Sequence, residues 1–225
     1  MRIDTASRTT TRTMTTALLL TFALASGSCA WSNKSKGAAV GTATGAAAGA
    51  VIGNQTGSTA RGAIIGAVVG GVAGAVIGHQ MDQQAKELED AIPGAGVDRL
   101  GEGLVLTFAS GLLYDFDSDA IRADAAANLQ TLAASLKEYP DTELLIVGHT
   151  DASGSAMYNQ ALSTRRADSA SRYLAGEGIA TGRLHTSGRG ETEAVATNGT
   201  EAGRQLNRRI EVAIYANAAA RMGSR

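Results

Sequence analysis

The chain has 225 residues, with 20 basic against 21 acidic side chains, a net charge of -1 and only 4% aromatic residues. That balance gives no basic stripe for a nucleic-acid footprint, and so few aromatics leave no stacking platform for bases. Glycine stands out at 28 residues, proline is rare at 2, and a single cysteine excludes an internal disulfide.

Residues 1–28 read as a signal peptide. Arg2, Arg8 and Arg12 form a basic start, and Ala17 to Ala25 is a short apolar stretch. It is too short to span a bilayer, which takes about 20 apolar residues. Small residues, Ala25-Ser26-Gly27-Ser28, run directly into Cys29. This resembles a bacterial lipobox, although Ser26 stands where that pattern prefers an apolar residue. The resemblance implies lipidation at Cys29, and Ala30 after it implies sorting to the outer membrane, periplasmic face. The rival reading is cleavage after Ala25 with Cys29 left as a free thiol. Residues 29–36 form a tether.

Residues 37–78 carry a period. Gly37, Gly41, Gly45, Gly49 and Gly53 recur every four residues, and so do Gly62, Gly66, Gly70, Gly74 and Gly78. On a helix this spacing keeps glycines near one face, where two backbones can approach closely. The polar run Asn54 to Thr59 makes a turn between two arms. Each arm would be about 25 Å long, slightly short of a bilayer core of about 30 Å. A flexible spacer would not hold this period twice. The segment resembles the glycine-zipper hairpins of envelope proteins, which implies Ala, Val and Ile facing lipid. Residues 79–96 follow as a linker helix and a turn at Pro93-Gly94-Ala95-Gly96.

Residues 97–216 alternate strand and helix patterns, and 217–225 form a tail. Leu104 to Phe108 reads as a strand, hairpin-paired with Val97 to Leu100. Ile121, Ala125, Leu129, Leu132 and Leu136 have helical spacing, and Pro140 stops that helix. Leu144 to Val147 is apolar on both faces, a fully buried strand type. A second helix runs from about Ala156 to Ala175, ending near Gly176 and Gly178. Leu184 to Ser187 is a short strand, and Ile210 to Tyr215 a last one.

Two charges draw attention. Arg166 lies on the apolar stripe of the second helix, four residues from both Leu162 and Ala170, and a buried charge needs a partner. Asp151 falls where the 144–147 strand leaves the sheet, near the start of that helix, with Asn159 between the two. Geometry alone admits either a ligand site or an internal Asp151–Arg166 salt bridge that only holds strand to helix. His149 reads as structural.

Several blocks occur in order: Gly148-His149-Thr150-Asp151, then Tyr158-Asn159 through Arg165-Arg166, then Gly188-Arg189-Gly190-Glu191, then Asn207-Arg208-Arg209-Ile210-Glu211. With Leu113 to Asp119 upstream, they resemble the OmpA-like domain, and the whole layout is similar to the YiaD-like lipoproteins. The resemblance implies an α+β fold, a β-α-β-α-β-β sandwich whose mixed sheet has two helices on one face, preceded by the glycine-zipper hairpin. It also implies non-covalent binding of peptidoglycan through the diaminopimelate of its stem peptide. That group ends in an ammonium and a carboxylate on one carbon. Asp151 matches the family residue that takes the ammonium. Arg166 matches the one that takes the carboxylate, where a planar fork bonds bidentately. Asp117, Thr150, Asn159, Arg208 and Arg209 match positions lining the same groove, with the choice between the two arginines open.

No enzyme, cofactor or metal is expected. Asp115, Asp117 and Asp119 alternate like a calcium loop, but Ala120 and Ala126 stand where Gly and Glu belong. Ser153 and Ser155 near His149 lack a nucleophile elbow. The expected partners are peptidoglycan and a membrane, through the lipid and the zipper helices, and no nucleic acid. The expected role is tethering the outer membrane to the wall. The alternative is a homo-oligomeric channel or secretion-complex component that this domain anchors.

Overall fold

The structure, a computed structural model, describes residues 58–69 and 75–223. The signal peptide, Cys29 and the first glycine series lie outside the described residues, as do Gly70 and Gly74. No helix among the described residues is long and apolar enough to cross a membrane.

Two helices come first, α1 (Thr59–Val69) and α2 (Ala75–Ala91). Strands β1 (Ala95–Leu100) and β2 (Gly103–Ala109) form an antiparallel hairpin turned at Gly101, whose φ is +56°. A one-turn helix α3 (Ser110–Leu113) leads into a loop, then α4 (Ala126–Glu138), β3 (Thr142–Gly148) and α5 (Ala156–Gly176). After β4 (Leu184–Gly188) come a short α6 (Glu201–Asn207), β5 (Arg209–Ala216) and α7 (Ala218–Gly223). The five strands lie in the order β1-β2-β5-β3-β4. Only β3 and β4 run parallel, so the sheet is mixed, as the sequence implies.

Period-two alternation decides what each face buries. β5 is central, between β2 and β3, and all eight of its residues are buried. On one face Leu104, Leu106, Phe108, Leu144, Ile146, Ile210, Val212 and Ile214 share a core with Leu129, Leu132 and Leu136 of α4 and Ala167, Ala170 and Leu174 of α5. These are the two helices expected there. Met81 and Leu88 of α2 join them.

The other face holds Val105, Leu145, Val147, Ala213 and Tyr215, covered by Ala60, Ala63 and Ile64 of α1. This is where the second glycine arm goes within the described residues. At roughly 100° per residue, Ala60, Ala63 and Ile64 share one side, Gly62 falls opposite it, and Gly66 flanks it, three residues after Ala63. The helix is anchored at its start, where the Glu193 carboxylate accepts from the Thr59 backbone N–H at 3.0 Å and its hydroxyl at 2.5 Å.

Two local expectations need correction. The helix read from Ile121 begins at Ala126, because Ile121 pairs instead with Tyr114 in an isolated antiparallel bridge. Arg122 N–H donates to the Leu113 carbonyl at 3.0 Å, which closes the intervening loop. α6 was not expected at all. Its start is capped by the Thr200 hydroxyl, which accepts from Gly203 N–H at 3.1 Å.

Gly148, where β3 ends, is a close-approach position. A Cβ there would overlap the Ser163 carbonyl oxygen of α5 and stand 2.9 Å from its carbon. Gly148→Ala is therefore expected to cost about 3 kcal/mol, the upper end for overpacking, since backbone has to move. Urea denaturation measures it.

Candidate functional site

β3 delivers Gly148-His149-Thr150-Asp151 to the sheet's end. The turn is fixed on the neighbouring chain: Arg189 N–H donates to the Gly148 carbonyl at 2.9 Å, and Thr150 N–H to the Gly190 carbonyl at 2.8 Å. Asp151 is 6% exposed. Its Oδ1 accepts from Ser153 N–H at 2.8 Å and its Oδ2 from Arg208 Nη1 at 2.5 Å. Burial pushes this carboxyl up, but the bonds from Arg208 and Ser153 outweigh it and hold it below the ordinary range. The other arm of Arg208 donates to Glu201 Oε1 at 2.6 Å.

Helix α5 starts beside this turn, with Ser155 as its N-cap accepting from Tyr158 N–H. Asn159, in the first turn and 2% exposed, uses Nδ2 twice, to the Asp151 carbonyl at 3.2 Å and to Glu191 Oε2 at 2.6 Å. Seven residues on, about 10 Å along the axis, lies Arg166, 4% exposed. Its Nε donates to the Ser118 carbonyl at 2.8 Å and its Nη2, weakly, to the Asp115 carbonyl at 3.4 Å. The guanidinium sits 5.3 Å over the Tyr114 ring, whose hydroxyl donates to the Arg166 carbonyl at 2.7 Å. Burial lowers the Arg166 pKa, and the negative charges of Asp117 and Asp119 partly counter that.

The internal Asp151–Arg166 salt bridge is not formed. Asp151 pairs with Arg208, and no carboxylate among the described residues pairs with Arg166. A guanidinium this buried without a carboxylate is costly, and an incoming carboxylate would relieve the cost.

The remaining residues divide. Asp117 has φ +56° at the exposed tip of the 115–119 loop and accepts from the Tyr158 hydroxyl. Thr150 is buried, and its hydroxyl has no hydrogen-bond partner among the described residues. Arg208 reaches Asp151, but Arg209 turns to the opposite sheet face. There its Nε donates to Glu211 Oε1 at 2.8 Å and its Nη2 to the Glu193 carbonyl at 3.0 Å. Glu191 and Glu201, unmarked by apolar periodicity, were not anticipated in this cluster. The glycine-bounded block ending in Glu191 was the one available signal.

His149 is fully buried, with Nε2 3.8 Å from Glu211 Oε2. Burial lowers the His149 pKa below its ordinary 6.5. Burial would raise Glu211, but His149 and Arg209 overcome it and hold that carboxyl at about 2, from 4.5. Both shifts make the unfolded chain bind more protons, so stability rises with pH across each window. Stability should therefore fall as pH drops below about 6.5, through His149. It should fall further from about 4.5 toward 2, through Glu211. Denaturant melts at pH 7.5, 5.5 and 3.5 check this, and Glu211→Gln should flatten the lower window.

Residues 113–208 match the model of the OmpA family, and residues 9–82 that of the YMGG-like Gly-zipper. The peptidoglycan-associated lipoprotein of Brucella melitensis is 36% identical over 118 residues, 52% of this chain and 70% of that protein. The probable lipoprotein YiaD of Escherichia coli is 34% identical over 138 residues, 60% of this chain and 63% of that one. Among solved structures, the cell wall anchor of the T6SS from Pseudomonas aeruginosa is 28% identical with a TM-score of 0.52, covering 63% of this chain and 97% of that one. The chain spans less than two thirds of the length of the first curated relatives it matches.

Proposed function

The chain belongs to the OmpA family, and from that membership we propose that it binds peptidoglycan and tethers the outer membrane to the cell wall. The observation that carries this reading is Arg166, a buried guanidinium bonded, among the described residues, to loop carbonyls and an aromatic ring. Such a group is a socket for a carboxylate. Asp151 and Asn159 at the near end of the same helix offer a negative charge and hydrogen-bond acceptors for an ammonium, with Arg208 holding the Asp151 carboxylate in place. A ligand with both charges on one carbon, the free end of diaminopimelate, matches that polarity. The chemistry asked of the site is recognition, with no reacting group. Asp117 and Thr150 line the groove, and Arg209 serves the opposite face of the sheet.

The membrane end is assigned to Cys29, lipidated on the periplasmic side of the outer membrane. Labelled palmitate should enter the wild type and be lost in Cys29→Ser; an unlabelled wild type would return Cys29 to a free thiol. The tether is favoured over an oligomeric channel because α1, part of the second glycine arm, is engaged with the sheet. Purified protein should sediment with isolated sacculi, and a wild type left wholly in the supernatant would contradict wall binding.

A further inference from the structure

Resting on the two-charge reading above, we infer that Glu191 is a second anionic contact for the ligand's ammonium and a specificity-determining residue of the same site. The carboxylates of Asp151, Asp115 and Asp119 around the site are already paired within the protein. Both oxygens of Asp151 are engaged within the protein, Oδ1 by Ser153 N–H and Oδ2 by Arg208. Asp151 thus meets an ammonium as a carboxylate shared with a guanidinium, and that guanidinium repels the newcomer. Arg165 and Asp119 face each other at 3.8 Å, and Arg122 holds Asp115. Glu191 differs. Its hydrogen bond is to the neutral Asn159 amide, and no arginine, lysine or histidine among the described residues pairs with it.

Its place follows from Asn159. One amide nitrogen bonds both the Asp151 carbonyl and Glu191 Oε2, so the two acidic residues flank a single side chain. Its position is also fixed in advance. Gly190, with φ +51°, lies so close to α5 that a Cβ would stand 3.0 Å from Gln160 N and 3.2 Å from the Asn159 carbonyl carbon. Gly190 N–H donates to the Ser163 hydroxyl at 2.9 Å, and its carbonyl accepts from Thr150 N–H. A half-buried carboxylate on such a rigid segment loses little freedom on meeting a cation. Arg166 takes the ligand's carboxylate further along α5, and Glu191 supplies the charge that Asp151 has largely given to Arg208.

The test titrates the full-length protein with a stem tripeptide ending in meso-diaminopimelate, and with the same peptide acetylated on its free amino group. Glu191→Gln keeps an oxygen to accept from Asn159 and removes only the charge. It should weaken the free peptide about tenfold, the scale of one charge-assisted hydrogen bond. It should leave the weaker binding of the acetylated peptide unchanged, and Glu191→Asp should recover part of the loss. An equal loss for both peptides would reduce Glu191 to a prop for Asn159 and overturn the inference. Wild-type affinity for both peptides in Glu191→Gln would overturn it too, with the two-charge reading left standing. If the wild type binds neither peptide, the two-charge reading falls and takes this inference with it.

Discussion

Arg166→Ala is expected to weaken binding of diaminopimelate peptides by about 2–5 kcal/mol, roughly 30- to 4000-fold, the cost of removing one partner of a buried hydrogen-bonded charge pair. Sacculus binding should then disappear at micromolar protein. The same change acts on the fold, because Arg166 ties the Asp115–Ser118 loop to α5 through two carbonyls and rests on Tyr114. Removing it also relieves a buried charge that lacks a carboxylate. These effects oppose each other, so stability should move by only about 1 kcal/mol, on the scale of one net hydrogen bond. Arg166→Lys separates charge from shape. An ammonium keeps the attraction and loses the fork, so affinity should fall between wild type and alanine. Titration calorimetry gives the affinities and thermal melts the stability. Affinity unchanged in both variants would remove Arg166 from the site.

The second large effect lies on the opposite face. A protein beginning at residue 73, without α1, should uncover Val105, Leu145, Val147, Ala213 and Tyr215 together. A contiguous apolar patch of this kind drives association. Glu193 would also lose both Thr59 hydrogen bonds while remaining beside Arg189, 3.4 Å away. The truncated protein should self-associate at micromolar concentration and lose several kcal/mol of stability, since three apolar side chains of α1 each contribute about 1–3 kcal/mol when buried. Light scattering coupled to gel filtration reads the first, and denaturant melts the second. A monomer as stable as the longer chain would mean that α1 adds nothing to the fold.

The framework was legible because its signals are local. Leu144 to Val147 and Ile210 to Tyr215 carry strand patterns that β3 and β5 bear out, and Gly178, with φ +94°, marks the end of α5. α6 was hidden because its Leu206 is 61% exposed and Gly203 interrupts it, which leaves no apolar period to read. The destination of α1 was hidden for a different reason. The glycine period marks where backbones can approach, but the buried side chains of Ala60, Ala63 and Ile64 choose the sheet. In the site, Asp151 and Arg166 stood out as charges in apolar surroundings, but the pairing of Asp151 with Arg208 spans 57 positions and depends on the unanticipated α6. A contact set by tertiary geometry leaves no spacing rule behind.

The central claim is a site for one carbon bearing an ammonium and a carboxylate. It is tested most directly by calorimetric titration of the wild-type protein with two stem tripeptides, one ending in meso-diaminopimelate and one in lysine. Lysine keeps the ammonium and lacks the carboxylate that Arg166 would receive. The diaminopimelate peptide should bind, and the lysine peptide should bind at least tenfold more weakly, the loss of about one charge-assisted hydrogen bond. Equal affinity for the two peptides, or no heat from either, would contradict it.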